Sequence, residues 1–216
     1  MQKAANSAGL AEAEYFQLAE ESLEKLEYTQ GLIFALGGGT PAHSQLAMNM
    51  GTALTNRLRG GGCRAYTSDL RIYIPDADAF TYPDVSVVCG ALELHPRRSD
   101  TVTNPSVIVE VLSPSTELYD RDGKWRLYQR TASLREYVLV SSGYAAVEHF
   151  QRAAGGGWLY RSHVGRDAVL VLGTPSLSLP LSELYADLDI PDLTSEMLRA
   201  EAPRAEAPRD ERRQGE

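Results

Sequence analysis

Lysine is the scarcest charged residue of this chain. Among 216 residues, 21 are Lys or Arg and 29 are Asp or Glu, but only Lys3, Lys25 and Lys124 are lysines. The formal net charge of −8 excludes a strongly basic protein that binds nucleic acid through charge alone. Any role that needs a compact ammonium group inside the folded part of the chain falls to Lys124.

Cysteine and long apolar runs are also scarce. Cys63 and Cys89 are too few, and too far apart in the sequence, for a disulfide scaffold or a zinc cluster, which indicates a reducing cytoplasm. No segment approaches the roughly 18 apolar residues of a membrane span, and the N-terminus lacks the basic and apolar regions of a signal peptide. We therefore expect a cytoplasmic protein without a membrane partner.

The composition is typical of one folded domain with a charged tail. Hydrophobic residues make up 43% of the chain, which is enough to build a core. We expect a single domain over residues 10–193. Residues 194–216 carry the near repeat EAPRA and EAPRD and almost no apolar side chains, so we expect them to be disordered.

Hydrophobic periodicity predicts an α/β (α+β) fold with a mixed β-sheet core flanked by helices. An additional N-terminal helix is expected from about Leu10 to Lys25, with an apolar face formed by Tyr15, Leu18, Ala19, Leu23 and Leu26. A hairpin should follow over Leu26–Leu36, and a second helix over Pro41–Leu58. The remaining predicted elements are strands at Arg64–Thr67, Asp69–Ile74, Val85–Cys89, Val107–Leu112, Glu136–Ser141, Ala145–Phe150, Trp158–Val164 and Ala168–Leu172, a polar loop around Pro96–Arg98, and a helix at Asp120–Thr131.

Two carboxylates and one lysine are unusual within this pattern. Asp84, in TYPDVSVV, begins a strand, where an acidic residue often serves only as a turn or cap residue. Glu110, in VIVEVL, lies within an apolar strand, and a buried carboxylate needs a cation, hydrogen-bond donors or a proton. Lys124 shares a helical stripe with Leu127 and Tyr128, which points it inward, although lysine more often lies on a solvated face.

These three charged residues together indicate chemistry on phosphate. Carboxylates from neighbouring strands, here Asp84 and Glu110, can hold a hard divalent ion such as Mg²⁺ or Mn²⁺. The ion can acidify a water and neutralise charge on a phosphate, while the Lys124 ammonium stabilises the transition state or orients the attacking water. Hydrolysis of a phosphodiester bond requires this combination.

Four segments resemble one known family. They are EYTQGLIFALGGGTPAHSQLAMNM, TYPDVSVVCG, NPSVIVEVLSPSTELYDRDGKWRLYQR and SLREYVLVSS. With them, the chain from about Ala13 to Asp187 resembles the Uma-type restriction endonuclease family, whose mostly bacterial members have the PD-(D/E)XK nuclease-like fold. The resemblance implies a restriction-endonuclease-like core and a metal-dependent endonuclease that acts on nucleic acid, with DNA favoured and RNA as the alternative. By analogy with PD-(D/E)XK endonucleases that cut both strands, we expect a homodimer.

The resemblance also implies the roles of individual residues. Asp84 and Glu110 match the two acids of the motif and would be the metal ligands. A lysine is expected two positions after Glu110, but Leu112 stands there. Lys124 matches a lysine that has moved to the following helix, in agreement with its inward-pointing stripe.

Two accessory residues, Glu27 and His43, also match the family pattern. Glu27 could complete a metal site or pair with Lys124, or it could be an exposed strand carboxylate. His43 lies in the first turn of the second helix, where the helix dipole favours a neutral imidazole. That ring could bind a metal-bound water or phosphate, or could only make a hydrogen bond at the helix start. We expect Asp120 to cap the helix of Lys124, and Tyr128 to contribute packing.

A second hypothesis is a catalytically inactive nucleic-acid-binding or assembly protein that retains the fold. Intact Asp84, Glu110 and Lys124 favour the enzyme. Residues 57–135, which contain all three, are the only part of the chain that is not net acidic, and a bound divalent ion would make them clearly positive. We therefore expect nucleic-acid binding that weakens when divalent ions are removed.

Overall fold

The computed structural model describes residues 4–5, 9–114 and 116–193. The helices are α1 (Glu12–Glu21), α2 (Pro41–Leu58), α3 (Trp125–Tyr128) and α4 (Leu181–Leu184), with a 3₁₀ turn at Pro75–Ala77 and a π-helical segment at Tyr119–Lys124. The strands are β1 (Ala4–Ala5), β2 (Leu26–Thr29), β3 (Leu32–Ala35), β4 (Cys63–Thr67), β5 (Arg71–Ile74), β6 (Ala79–Thr81), β7 (Val85–Cys89), β8 (Leu94–His95), β9 (Arg98–Val102), β10 (Val107–Leu112), β11 (Glu136–Ser141), β12 (Ala146–Arg152), β13 (Trp158–Val164), β14 (Val169–Gly173) and β15 (Ser176–Pro180).

Strand β10 lies inside a six-stranded mixed sheet of order β13-β12-β11-β10-β7-β4. It pairs parallel with β11 and antiparallel with β7, and all six of its side chains are buried. The predicted buried strand is therefore confirmed. Successive side chains of a strand face opposite sides. Val107, Val109 and Val111 accordingly pack in the core beneath α2, whereas Ile108 and Leu112 pack in the core that contains Tyr128. Glu110 shares this second face.

Helix α2 matches its prediction at both ends. The Thr40 side chain caps it by accepting a hydrogen bond from the backbone N–H of His43 (3.2 Å), and Pro41 occupies the first helical position. The predicted apolar face is buried, and it consists of Leu46, Met50, Leu54 and Leu58. This packing fixes the N-terminus of α2 over the sheet, close to the start of β7.

The hairpin β2–β3 joins a seven-stranded sheet of order β1-β3-β2-β6-β5-β9-β8. Gln30 and Gly31 form its turn with φ values of 49° and 84°. Two consecutive left-handed residues are what a tight hairpin turn needs, and they set the pairing register. The hairpin is confirmed as predicted, and the pairing of β2 with β6 places Glu27 near Tyr82.

Several local predictions were wrong. Helix α1 ends at Glu21, and Phe16 is buried in place of the exposed Leu18 and Leu23. The short strands β6 and β15 were missed, and β8 and β9 replace the predicted polar loop around Pro96–Arg98. The predicted helix at Asp120–Thr131 is a π-helical segment followed by a single α-helical turn.

The two cysteines form a disulfide, contrary to the expectation that they are too far apart. Cys63 and Cys89 are 26 positions apart in the sequence but face each other across the antiparallel pair β4 and β7. Separation along the chain was a poor guide because strand pairing brings distant residues together. Within the described ranges, no helix combines the length and apolar character needed to cross a bilayer. The predicted tail, residues 194–216, lies outside the described residues.

Candidate active site

Asp84 and Glu110 lie side by side at the junction of β7 and β10. Asp84 precedes β7, and the pairing of Val85 with Val109 brings its side chain to the following part of β10. The backbone N–H of Val111 donates a 2.7 Å hydrogen bond to Asp84 Oδ2. Sheet register alone therefore brings together two carboxylates that are far apart in the sequence.

Lys124 points into the protein, as its helical stripe predicted. The residue is 4% exposed, and its Nζ lies 3.0 Å from Glu110 Oε1. Asp120 Oδ1 lies 3.4 Å from the same nitrogen, and Glu27 Oε1 lies 3.5 Å from it. One ammonium group is therefore surrounded by three carboxylates from three different elements. The exposed-lysine alternative is wrong.

Glu27 is fully buried, so the alternative of an exposed strand carboxylate is also wrong. Its Oε1 accepts a 2.9 Å hydrogen bond from the backbone N–H of Tyr82. Its Oε2 is buried and has no hydrogen-bond partner among the described residues. Glu27 therefore contacts the Lys124 ammonium through Oε1, and its Oε2 is a buried acceptor without a donor among the described residues.

His43 contacts Asp84 from the first turn of α2, with Nε2 3.3 Å from Asp84 Oδ2. The hydrogen bond to Asp84 raises the pKa of the imidazole, against the effect of burial. The expectation that the helix dipole keeps the ring neutral was wrong in direction, because the carboxylate is closer and more strongly charged. Gly39 makes room for the ring, since a Cβ there would lie 2.7 Å from His43 Nδ1.

Two residues have closer contacts with the site than the sequence suggested. Asp120 is buried within the π-helical segment beside Lys124, so it is not the helix cap. The Tyr128 hydroxyl donates a 2.8 Å hydrogen bond to Glu110 Oε1 and lies 3.2 Å from Thr81 Oγ1. The spacing of four residues from Asp120 to Lys124 and from Lys124 to Tyr128 was a usable signal, because such residues share one helix face.

The site has more buried carboxylates than ammonium groups, and this imbalance, together with burial, shifts the pKa values of its residues. Burial raises the pKa of the Glu110 carboxyl well above its ordinary value. The charge of Lys124 acts in the opposite direction, and the neighbouring Asp120 carboxylate adds to the rise. Burial also raises the pKa of Glu27. For Lys124, burial acts to lower the pKa, but the surrounding carboxylates raise it well above its ordinary value. Lys124 therefore stays charged, and a further cation beside the carboxylates would lower their raised pKa values.

Most of these charged groups line a cavity of about 150 Å³. Its acidic and basic lining residues are His43, Asp84, Glu110, Asp120 and Lys124, and Gly37–Gly39 form part of its wall. Four of the five residues predicted for the site thus line one cavity. The fifth, Glu27, does not line it but contacts Lys124, with Oε1 3.5 Å from Nζ.

The donor set fits a magnesium-type ion that keeps much of its water. Among the described residues, no three His, Cys, Asp or Glu side chains converge as a complete metal site. Mg²⁺, however, is commonly held by one or two carboxylates with water and other oxygen ligands. Asp84 and Glu110 supply two such carboxylates, and the raised pKa of Glu110 together with the orphaned Oε2 of Glu27 indicates that positive charge is in deficit.

Comparison with known proteins identifies a matching family and two relatives of this chain. A family model described as "Uma2: Putative restriction endonuclease" matches residues 12–182. The Synechocystis protein slr1290, which is uncharacterised, is 39% identical over 179 residues, covering 83% of this chain and 93% of the relative. A second uncharacterised Synechocystis protein, sll1609, is 33% identical over 159 residues, covering 74% of this chain and 90% of the relative.

A solved structure shares the architecture. The crystal structure of "a putative nuclease belonging to DUF820" from Anabaena variabilis has a TM-score of 0.67 and 17% sequence identity, and the match covers 81% of this chain and 96% of that one. The predicted fold class is confirmed: mixed sheets with few helices form a restriction-endonuclease-like α+β fold. By its match over most of its length, the chain belongs to the Uma2 restriction endonuclease family.

Proposed function

We propose that this protein is a Mg²⁺- or Mn²⁺-dependent endonuclease that hydrolyses phosphodiester bonds of nucleic acid, with DNA as the preferred substrate. The observation that carries the proposal is the convergence of Asp84, Glu110 and Lys124 on one cavity, with the ammonium 3.0 Å from Glu110. Membership of the Uma2 family and the nuclease-like fold support the same activity.

In this mechanism each residue has a separate task. Asp84 and Glu110 would hold the metal ion, which, when bound, would supply positive charge to the phosphate and acidify water. Lys124 is a preorganised ammonium that stabilises charge developing on the phosphoryl oxygens. His43 orients Asp84 through the contact between its Nε2 and Asp84 Oδ2. Glu27 is a positioning residue that acts through Lys124.

Two further properties belong to the proposal. A homodimer follows by analogy with endonucleases that cut both strands of a duplex. A cytoplasmic location follows from the sequence features, but the Cys63–Cys89 disulfide counts against it, because disulfides are rare in reducing compartments. Size measurement in solution tests the first, and thiol titration of protein taken directly from cells tests the second.

The central test combines metal binding with cleavage. Mg²⁺ or Mn²⁺ should raise the melting temperature of the wild type but not that of Glu110→Gln, which keeps the side-chain shape and removes the charge. Glu183→Gln is the matched control, because Glu183 pairs with Arg57 on the surface and does not line the cavity. A screen of single- and double-stranded DNA and RNA with each metal should then show cleavage by the wild type and by Glu183→Gln only.

The opposite result would favour the inactive alternative. If neither metal shifts the melting temperature and no nucleic acid is cleaved, the protein is not a metal-dependent nuclease. Binding of nucleic acid under the same conditions would then support a binding or assembly protein that retains the fold.

A further inference from the structure

A long groove leads away from the candidate active site. It has a volume of about 940 Å³ and shares Leu36, Gly37–Gly39, His43, Tyr82 and Asp84 with the smaller cavity. One wall is the exposed side of α2, and the other is β4 with the residue after it. Because the two spaces share these residues, a chain bound in the groove would reach Asp84 directly.

The groove continues beyond the middle of α2. A second depression of about 840 Å³ shares Thr55, Arg59, Ala65 and Tyr66 with it, and also includes Arg64. From His43 to Arg59 the distance along α2 is ~24 Å at 1.5 Å per residue. A stacked strand that rises 3.4 Å per nucleotide would span this distance with about seven nucleotides.

The far end of the groove carries unpaired positive charge. Arg59 and Arg64 are exposed, and neither forms an ion pair or a side-chain hydrogen bond with any residue in the described part of the chain. Lys25, near the other end, is already bound to Asp69 and Ser68. Two free guanidinium groups at a fixed distance from the carboxylates suit a phosphate backbone.

The middle of the groove suits bases better than phosphates. Thr52 and Thr55 offer hydroxyl groups from α2, whereas the Tyr66 ring on β4 packs against the core on the opposite side of the sheet. Because β4 is the edge strand of its sheet, the backbone groups on its outer side have no strand partner in the sheet. A duplex presents dense charge on both strands and would need many more cations than these. A single strand can gain affinity from a few ionic and polar contacts.

We propose that this groove binds one unpaired strand of nucleic acid, with its phosphates at Arg59 and Arg64 and the scissile phosphate at Asp84. The inference rests on the proposed nuclease function and specifies the form of its substrate. It makes Arg59 and Arg64 substrate-binding residues, and Arg59 lies ~24 Å from His43 along α2.

Strand binding is tested in a protein that cannot cleave. Fluorescence anisotropy should measure binding of a labelled oligothymidylate of about 15 nucleotides to Glu110→Gln protein with Mg²⁺ at several salt concentrations. Adding Arg59→Ala and Arg64→Ala should weaken binding by tenfold or more and reduce the salt slope by about two. Arg59→Lys with Arg64→Lys should retain most of the affinity. Arg135→Ala is the matched control: it removes an exposed arginine outside the groove and should change nothing.

The identity of the ligand has its own test. A duplex of matched length should bind more weakly than the single strand. The inference is overturned if the oligonucleotide does not bind, if the arginine substitutions have no effect, or if the duplex binds as tightly with the same arginine dependence.

Cleavage of bis(p-nitrophenyl) phosphate separates this inference from the proposed function. This small diester is too short to reach Arg59 from Asp84. If the wild type cleaves it with Mg²⁺ or Mn²⁺ but the arginine substitutions leave strand binding unchanged, the groove assignment is wrong and the nuclease remains. If the strand binds as expected but no diester is cleaved under any condition, the groove is a binding site and the nuclease proposal is wrong.

Discussion

Lys124 Nζ lies 3.0 Å from Glu110 Oε1, although the two residues stand on different elements and 14 positions apart. Leu112, at the position where the family pattern has its lysine, is buried in the core beside Tyr128. The ammonium therefore reaches the carboxylate from the π-helical segment, and the strand position is free for packing. π-Helical turns are often found at functional sites, where they redirect one side chain.

Removing the Lys124 charge should destabilise the protein in a pH-dependent way. Lys124→Met leaves Glu110, Glu27 and Asp120 buried without a counter-charge, which should lower the free energy of unfolding by roughly 3–5 kcal/mol near pH 8. The pKa values of Glu110 and Glu27 are already raised by burial and should rise further. Carboxyls with raised pKa favour folding when protonated, so the variant should regain stability as the pH falls towards 5.

Urea unfolding from pH 5 to pH 8 measures this effect. Arg126→Met is the control, because Arg126 is exposed in the adjoining α3 and forms its ion pair with Asp122, away from the site. Equal unfolding free energies for wild type and Lys124→Met at pH 8 would show that the carboxylates do not depend on Lys124.

Tyr128 should affect metal affinity as well as stability. Tyr128→Phe removes the hydroxyl that donates to Glu110 Oε1 and should lower the free energy of unfolding by about 1–3 kcal/mol. Because partners of a ligand fix its orientation, metal affinity should also fall by tenfold or more. Tyr185→Phe is the control: its buried hydroxyl lies 2.8 Å from the backbone oxygen of Ser141 and 2.7 Å from that of Ala146, away from the site, so the substitution should lower stability alone. Calorimetric titration with Mn²⁺ distinguishes the two variants, and equal affinities would contradict the role of Tyr128.

Gly39 should control the position of His43. In Gly39→Ala the new methyl group would meet His43 Nδ1 at 2.7 Å and push the ring away from Asp84. The hydrogen bond to Asp84 is what raises the pKa of His43, so the variant should shift that pKa down towards its ordinary value. NMR titration of the imidazole measures the shift without any assay of activity. Gly38→Ala adds the same methyl group where nothing lies within 4 Å, and its effect on the pKa should be smaller.

The sequence predicted features that depend on local periodicity or capping. Helix α2 with its Thr40 cap, the Gln30–Gly31 turn and the buried strand of Glu110 all follow from neighbouring residues. The inward direction of Lys124 also followed, because a helical stripe is a local property. These predictions include the parts of the fold that position the candidate site.

Features that depend on long-range pairing were missed or misread. The Cys63–Cys89 disulfide exists because β4 and β7 pair, and no local pattern reveals that register. Strands β8 and β9 form from a polar segment because they add to the edge of an existing sheet. Asp120 was interpreted as a cap because carboxylates at helix starts usually are, whereas here burial beside Lys124 determines its role.

An ion pair outside the site should contribute to acid stability. Arg98 donates two hydrogen bonds to Asp100, from Nε (3.1 Å) and Nη2 (2.8 Å), and these lower the pKa of Asp100 to about 2. A carboxyl with a lowered pKa stabilises the folded state above its unfolded pKa, and this contribution is lost as the pH falls through the folded value. The Asp100 side chain is 45% exposed, so solvent screening should limit the effect to about 1 kcal/mol.

Asp100→Asn should therefore be less stable than the wild type at pH 6, and the difference should disappear as the pH falls from about 4 to about 2. Urea unfolding of both proteins across this range measures the difference, with Asp122→Asn as a control for losing an exposed ion pair. A difference that stays constant down to pH 2 would assign the effect to packing instead of charge.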